Sequence, residues 1–386
     1  MKSISTNIYT FEDFIKGNYL YVDKTRYLHK LVSEYKGQYF FARPRRFGKS
    51  LMISTLKAIF QGKKELFEGL YITETNYDWL EYPVIHLDMG SCVADSTEEM
   101  KRNLDYLIDR QAKLNDVQLN NEGCSARFQE LIVSVSDKGK KVVVLVDEYD
   151  KPLLNRLDTP EVEKLQSVLK SFYGVIKTTE HAQRFAMITG ISKFSKVSIF
   201  SDLNNLTDLT MTAPESTMLG YTQEELEENF DEYIDALAEA QGLSKYECLD
   251  KLKVWYNGYR FEDNAPTVYN PVSVMKCFQN LKFNNFWFET GTPSFLIKLL
   301  KEKPVDFGDL TLSAPSMDSY DPKNINPLTL LFQTGYLTID SCETGPLGNI
   351  YHLRFPNQEV STAFNFTLAS NFSANTDGVL RASCLM

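Results

Sequence analysis

Apolar residues follow two rhythms along this chain. Between about 38 and 210, short aliphatic and aromatic blocks alternate with stretches of helical spacing. Tyr39-Phe40-Phe41-Ala42, Pro83 to Asp88, Val142 to Val146 and Phe185 to Thr189 read as short buried strands. Leu51, Leu56, Ile59 and Phe60 recur at helical spacing behind the first strand, and Gly62 closes that helix. Glu161 to Ile176 carries Val162, Leu165, Leu169, Phe172 and Ile176 on one face. Thr159 is placed to cap it, with Pro160 at its first position. Strand and helix in alternation predict an α/β fold, a parallel sheet flanked by helices on both faces.

After about 210 the rhythm changes. Thr222-Gln-Glu-Glu225 is a capping box, and Leu226, Phe230, Ile234 and Leu237 form a helical stripe behind it. The region 220–340 reads as mainly helical, with loops at Asn257-Gly258, Gly291-Thr292-Pro293 and Asp321-Pro322. The expected division is a core over 1–212, a mainly α domain over 213–362 and a remnant over 363–386. The stretch from Asn365 to Met386, rich in Ser, Asn, Thr and Ala, is expected to fray.

Composition narrows the classes. Of 386 residues, 43% are hydrophobic and 13% aromatic, enough for a packed core, so global disorder is excluded. The net charge is −10, which argues against coating nucleic acid by bulk charge but leaves room for a local basic site. The longest aliphatic run is Val142 to Val146, far short of a membrane span, and the N-terminus lacks the apolar core of a secretory signal. Six scattered cysteines without Cys-x-x-Cys spacing predict a reduced, cytoplasmic setting and no structural zinc. The four histidines are isolated, and ordinary surface or core roles are expected for them.

The sharpest chemistry is Arg43-Pro44-Arg45-Arg46-Phe47-Gly48-Lys49-Ser50, between a strand and a helix. It fits the phosphate-binding loop Gly-x-x-x-x-Gly-Lys-Ser except that Arg43 stands where the first glycine belongs. Backbone amides there and the helix start at Leu51 would hold phosphates, Lys49 would reach the outer ones, and Ser50 would bind Mg²⁺. Arg45 and Arg46 suit phosphates or nucleic acid, and Lys49 beside them favours phosphates. Val142-Val-Val-Leu-Val146-Asp147-Glu148 is the second half. A buried strand ends in acids at the ligand crevice, with Asp147 for Mg²⁺ and Glu148 to polarise the attacking water. Thr189 or Ser192, at the tip of the fourth strand, is placed to sense the γ-phosphate; a plain strand end is the alternative. Ser192 is the one assigned a catalytic role.

These motifs resemble the bacterial AAA-ATPase-like family that usually carries a C-terminal PD-(D/E)xK nuclease-like domain. The carrying residues are Tyr21-Val-Asp23-Lys24-Thr25, Phe41 to Ser50 and Val146-Asp147-Glu148-Tyr149-Asp150-Lys151-Pro152. Further on come Thr189-Gly190-Ile191-Ser192, Trp255-Tyr256-Asn257-Gly258-Tyr259, Thr290-Gly291-Thr292-Pro293, Phe332-Gln-Thr334-Gly335-Tyr336-Leu337 and Phe355-Pro356-Asn357-Gln358-Glu359-Val360. The resemblance implies a P-loop core of AAA or STAND type, and a lid or winged-helix-like region after it. It implies ATP at Gly48, Lys49 and Ser50, Mg²⁺ at Ser50 and Asp147, and a catalytic carboxylate at Glu148. Arg260 would reach the nucleotide from the lid or act on a neighbouring subunit; a turn packed by its aromatics is the other reading. A nuclease-like domain needs about 100 residues more. The tail from 361 holds one acidic residue, Asp377, and no lysine, so no nuclease activity is expected. The expected function is Mg-dependent ATP binding and hydrolysis gating a conformational switch. The alternative is a non-hydrolysing scaffold, or a regulator of a nuclease acting in trans. The expected partners are nucleotide, a protein partner or oligomer, and no membrane.

Overall fold

The computed structural model describes residues 1–372, apart from 155, 157–158, 194–204, 288–293, 319–324 and 347. The loops expected at 291–293 and 321–322 and the tail from 373 lie outside the described residues. Two helices, α1 (Phe11–Lys16) and α2 (Thr25–Ser33), precede the first strand. Strands β1 (Gly37–Ala42), β2 (Val84–Asp88), β3 (Val142–Asp147), β4 (Gln183–Gly190) and β5 (Thr207–Asp208) form one sheet in the order β2-β3-β4-β1-β5. Every pairing is parallel. β1 and β3 are buried at every residue, which explains their unbroken apolar runs. Helices α3 (Lys49–Phe60), α4 (Thr97–Leu114), α5 (Cys124–Ser136), α6 (Lys151–Leu154) and α7 (Val162–Thr178) connect the strands.

Parallel pairing brings all the strand C-termini to one edge, and ligands of open α/β sheets bind there. β4 lies between the strand that leads into the phosphate loop and the strand that ends in Asp147. The tip of β4 therefore touches both. One local expectation is corrected. Glu161, with no side-chain cap, precedes α7, while the Thr159 hydroxyl donates to the Arg156 carbonyl at 2.8 Å. Pro160 sits in the turn ahead of the helix.

Beyond the sheet, α8 (Gln223–Asn229), α9 (Asp231–Gln241), α10 (Lys245–Tyr256) and α11 (Pro271–Asn280) share a separate apolar core built on Leu226, Phe230, Ile234, Leu252 and Phe278. The expected capping box is present: Glu225 N donates to Thr222 Oγ1 and Thr222 N to Glu225 Oε2. The stripe from Leu226 to Leu237 is two helices, broken at Phe230. The chain then runs through α12 (Ser294–Glu302), β6 (Thr311–Ser313), α13 (Ala314–Asp318), α14 (Pro327–Thr334), β7 (Thr338–Gly345), β8 (Gly348–Arg354) and α15 (Gln358–Phe372). The three strands pair antiparallel in the order β6-β8-β7. The sequence pattern gave no sign of this sheet. Asn365 to Phe372, expected to fray, continues α15. Among the described residues no helix is long and apolar enough to cross a membrane.

Candidate functional site: a phosphate loop facing an acidic strand end

The loop from β1 to α3 solves the missing glycine by placing its left-handed residues elsewhere. Arg46 has φ 69° and Gly48 has φ 93°, whereas Arg43 is not among the residues with positive φ. A left-handed arginine costs roughly 1 kcal/mol, and the loop's anchors must hold it there. Arg43 is one such anchor. Its guanidinium is buried and donates to the carbonyls of Ala42 (2.9 Å), Thr210 (2.7 Å) and Glu215 (3.1 Å). It also lies over the rings of Phe41 and Phe261, and burial pushes its pKa down to about 9. Phe47 is a second anchor, buried with its ring edge-on to Tyr259 (4.9 Å) and Phe261 (5.4 Å).

Lys49 opens α3, and its Nζ donates to the carbonyls of Arg43 (2.8 Å) and Pro44 (2.9 Å). Burial pushes this ammonium down to about 8, against the opposite pull of Asp147, Asp150 and Glu148. Those acids stand at the end of β3. Asp147 Oδ1 accepts from Glu148 N (3.0 Å) and from the Thr189 hydroxyl on β4 (2.7 Å). Glu148 has φ 53°, an uncommon conformation for a side-chain-bearing residue, and strained backbones cluster at functional sites. A methyl group on Gly90 would stand 2.9 Å from Asp88 Oδ1 and 3.0 Å from Glu148 Oε2, so these two carboxylates share one small space. Lys151 Nζ lies 3.6 Å from Glu148 Oε2.

A cleft of about 910 Å³ opens over these groups. Arg45, Arg46, Phe47, Gly48, Lys49, Ser50, Leu51, Asp147 and Glu148 all line it. Arg43, Pro44 and Ser192 do not. The Ser192 hydroxyl and amide donate to Asp150 Oδ2 at 2.8 and 2.9 Å, beside the Ile191 amide at 3.0 Å. Ser192 therefore holds a buried carboxyl, and burial raises the pKa of that carboxyl. Of the two candidates at the tip of β4, Thr189 is the one bonded to Asp147. Sequence reasoning missed the opposite walls: the N-terminal stretch Ser5–Thr10, and Gly220, Tyr221, Val272 and Met275 from the helical unit. Neither stretch has periodicity or a motif that marks it.

The C-terminal unit presses on the loop from behind. A methyl group on Gly335 would meet Pro44 Cβ at 2.7 Å, and the Arg46 guanidinium donates to the Phe286 carbonyl. The amides of Phe286 and Trp287 donate to Glu359 Oε1 at 2.7 and 2.8 Å, and burial pushes the Glu359 carboxyl up to about 7. Two motifs distant in sequence interlock here. A side chain at Gly258 would strike the Pro356 carbonyl at 1.9 Å, and Asn357 Nδ2 donates to the Asn257 carbonyl at 2.9 Å. Arg260 does not reach the cleft; its guanidinium donates to the Asp340 carbonyl on β7 at 2.6 Å. Lys24 ties the core to the helical unit through Glu225, at 2.6 and 2.7 Å.

A family model described as predicted AAA-ATPase matches residues 5–200. An uncharacterized protein from the vnfD 5′ region of Azotobacter chroococcum mcd 1 is 36% identical over 98% of this chain and 72% of its own. Among solved structures, the Aeropyrum pernix ORC2 protein in its ADPNP–ADP complexes aligns at TM-score 0.38 and 12% identity, over 94% of this chain and 93% of that one. The A. pernix ORC1 protein in complex with DNA aligns at TM-score 0.30 and 10% identity, over 88% of this chain and 90% of that one. With half the chain matched by the family model and a relative at 36% identity along its length, this chain belongs to the AAA-ATPase-like family.

Proposed function

We propose that the cleft binds ATP with Mg²⁺ and hydrolyses it, and that the bound state biases how the helical and C-terminal units sit on the core. One observation carries the reading. The phosphate loop, its buried lysine and the carboxylates of Asp147 and Glu148 converge on one cleft at the C-terminal edge of a parallel sheet. The cleft is cationic although the chain is acidic, with Arg45, Arg46 and Lys49 on the loop.

The residues present fit a magnesium ion. Ser50 offers a hydroxyl, and Asp147 offers Oδ2, which has no hydrogen bond among the described residues. No group of three or more His, Cys, Asp or Glu able to hold a metal occurs among the described residues. This suits a cation held by one or two protein oxygens together with phosphates and water. When bound, Mg²⁺ neutralises charge on the β- and γ-phosphates. Glu148 takes the proton of the attacking water, Thr189 fixes the Asp147 carboxylate, and Lys49 leaves the two loop carbonyls for the outer phosphates.

α14 carries neither Lys nor Arg, and Arg354 on β8 is bonded to Asp340 Oδ1 and to the Phe355 and Pro356 carbonyls. Nucleic-acid contact by the C-terminal unit is therefore not part of the proposal. The test is steady-state ATP turnover by the purified chain with Mg²⁺, alongside Glu148→Gln. Glu148→Gln is expected to lower turnover at least a hundredfold with ATP affinity retained. Binding without turnover in the wild type reduces the reading to a nucleotide switch. Equal turnover in both chains removes Glu148 from the mechanism.

A further inference from the structure

The N-terminal residues Ser5–Thr10 line the cleft as a strap fixed at its ends. On the helical unit, the Met1 amine pairs with Glu232 at 3.0 Å, the Tyr233 hydroxyl donates to the Lys2 carbonyl, and Gln279 on α11 donates to the Ile4 carbonyl. On the core side, Phe11 N donates to Ser54 Oγ on α3 at 2.8 Å. Between these anchors, Ser5–Tyr9 hydrogen-bond within the strap among the described residues: Thr6 Oγ1 to Asn7 Oδ1, and Asn7 N to Ser5 Oγ. All six strap residues line the cleft, and Tyr9 is 60% exposed there. Tyr9 stands two residues before the anchor at Ser54, and Ser54 lies one helical turn, about 6 Å, beyond Ser50.

We infer that the strap is a closing element and that Tyr9 supplies an aromatic face for the base of the bound nucleoside triphosphate. This rests on the nucleotide reading above. An exposed phenol ring that lines the same cleft as Val272 and Met275, on a segment whose hydrogen bonds to the rest of the chain lie at its ends, offers a face for stacking on a planar ligand. Because the strap is anchored on both α3 and the helical unit, stacking would draw those two walls together. It thus couples the base to the approach of the helical unit, as lids do in other enzymes.

The test compares dissociation constants for Mg-ATP and Mg-tripolyphosphate, which lacks a base, in wild type, Tyr9→Ala and Tyr9→Phe. Tyr9→Ala is expected to weaken ATP roughly tenfold to a hundredfold, the range of base–aromatic stacking, and to leave tripolyphosphate unchanged. Tyr9→Phe is expected to keep ATP within about twofold, since a phenyl ring preserves the stacking face. Unchanged ATP affinity in Tyr9→Ala, with both ligands binding, overturns the strap alone. Failure of the wild type to bind either ligand overturns the nucleotide reading as well. A second readout needs no variant: ATP should slow chymotryptic cleavage after Tyr9 and tripolyphosphate should not. Equal protection by the two ligands contradicts a base contact.

Discussion

Burial pushes the Lys49 ammonium down to about 8, yet this side chain must be charged to hold phosphate. Phosphate binding therefore restores its proton, and affinity follows the protonated fraction of the free protein. With a pKa of about 8, that fraction is roughly nine-tenths at pH 7 and one-tenth at pH 9, so ATP affinity should fall about tenfold between them. The nucleotide does not confound the window, because a terminal phosphate completes its ionisation near pH 6. Calorimetric titration at pH 8, in two buffers of different ionisation heat, should register uptake of about half a proton per nucleotide. Lys49→Arg removes the titration, because a guanidinium stays charged throughout. Flat affinity from pH 7 to 9, or no proton uptake at pH 8, refutes this account of Lys49.

Two further predictions concern what holds the loop from behind. Gly258→Ala would place a methyl group 1.9 Å from the Pro356 carbonyl at a φ of 106°, and should cost about 3 kcal/mol or more in urea unfolding. Gly242→Ala, at φ 64° with nothing within 4 Å, should cost only about 1 kcal/mol; equal costs would contradict the interlock of the two motifs. Burial raises Glu359 from 4.5 to about 7, so across that window the folded chain keeps a proton that the unfolded chain has released. Stability then falls as pH rises from 4.5 to 7. Glu359→Gln keeps the carbonyl acceptor for Phe286 and Trp287 and removes the fall, so its Tm should gain on wild type between pH 5 and pH 7.5. A gap that does not change with pH argues against a buried, protonated Glu359.

The sheet and the phosphate loop were legible because their signals are local. Val142 to Val146 is apolar throughout because it is buried on both faces, and the loop ending in Gly48-Lys49-Ser50 joins a buried strand to a helix. The role of Arg43 was not legible, since its acceptors at Thr210 and Glu215 are brought in by tertiary folding. Ser192 and Thr189 are equivalent as polar residues near a strand tip. Only the register of β3 on β4 gives Thr189 to Asp147, while Ser192 goes to Asp150. The β6-β8-β7 sheet escaped detection because β6 has three residues and β8 buries one face weakly, leaving little alternation. The motifs around Gly258 and Pro356 were visible as words without a role. Their role is each other.

The central claim is that the Arg43–Ser50 loop holds nucleotide phosphates. Equilibrium binding of Mg-ATP to the purified chain, with Lys49→Ala beside it, tests this most directly. The account predicts one site per chain and an affinity loss of at least a hundredfold in Lys49→Ala, the scale of losing a buried charge-assisted contact. Equal affinity in the two chains, or no binding by the wild type, would contradict it.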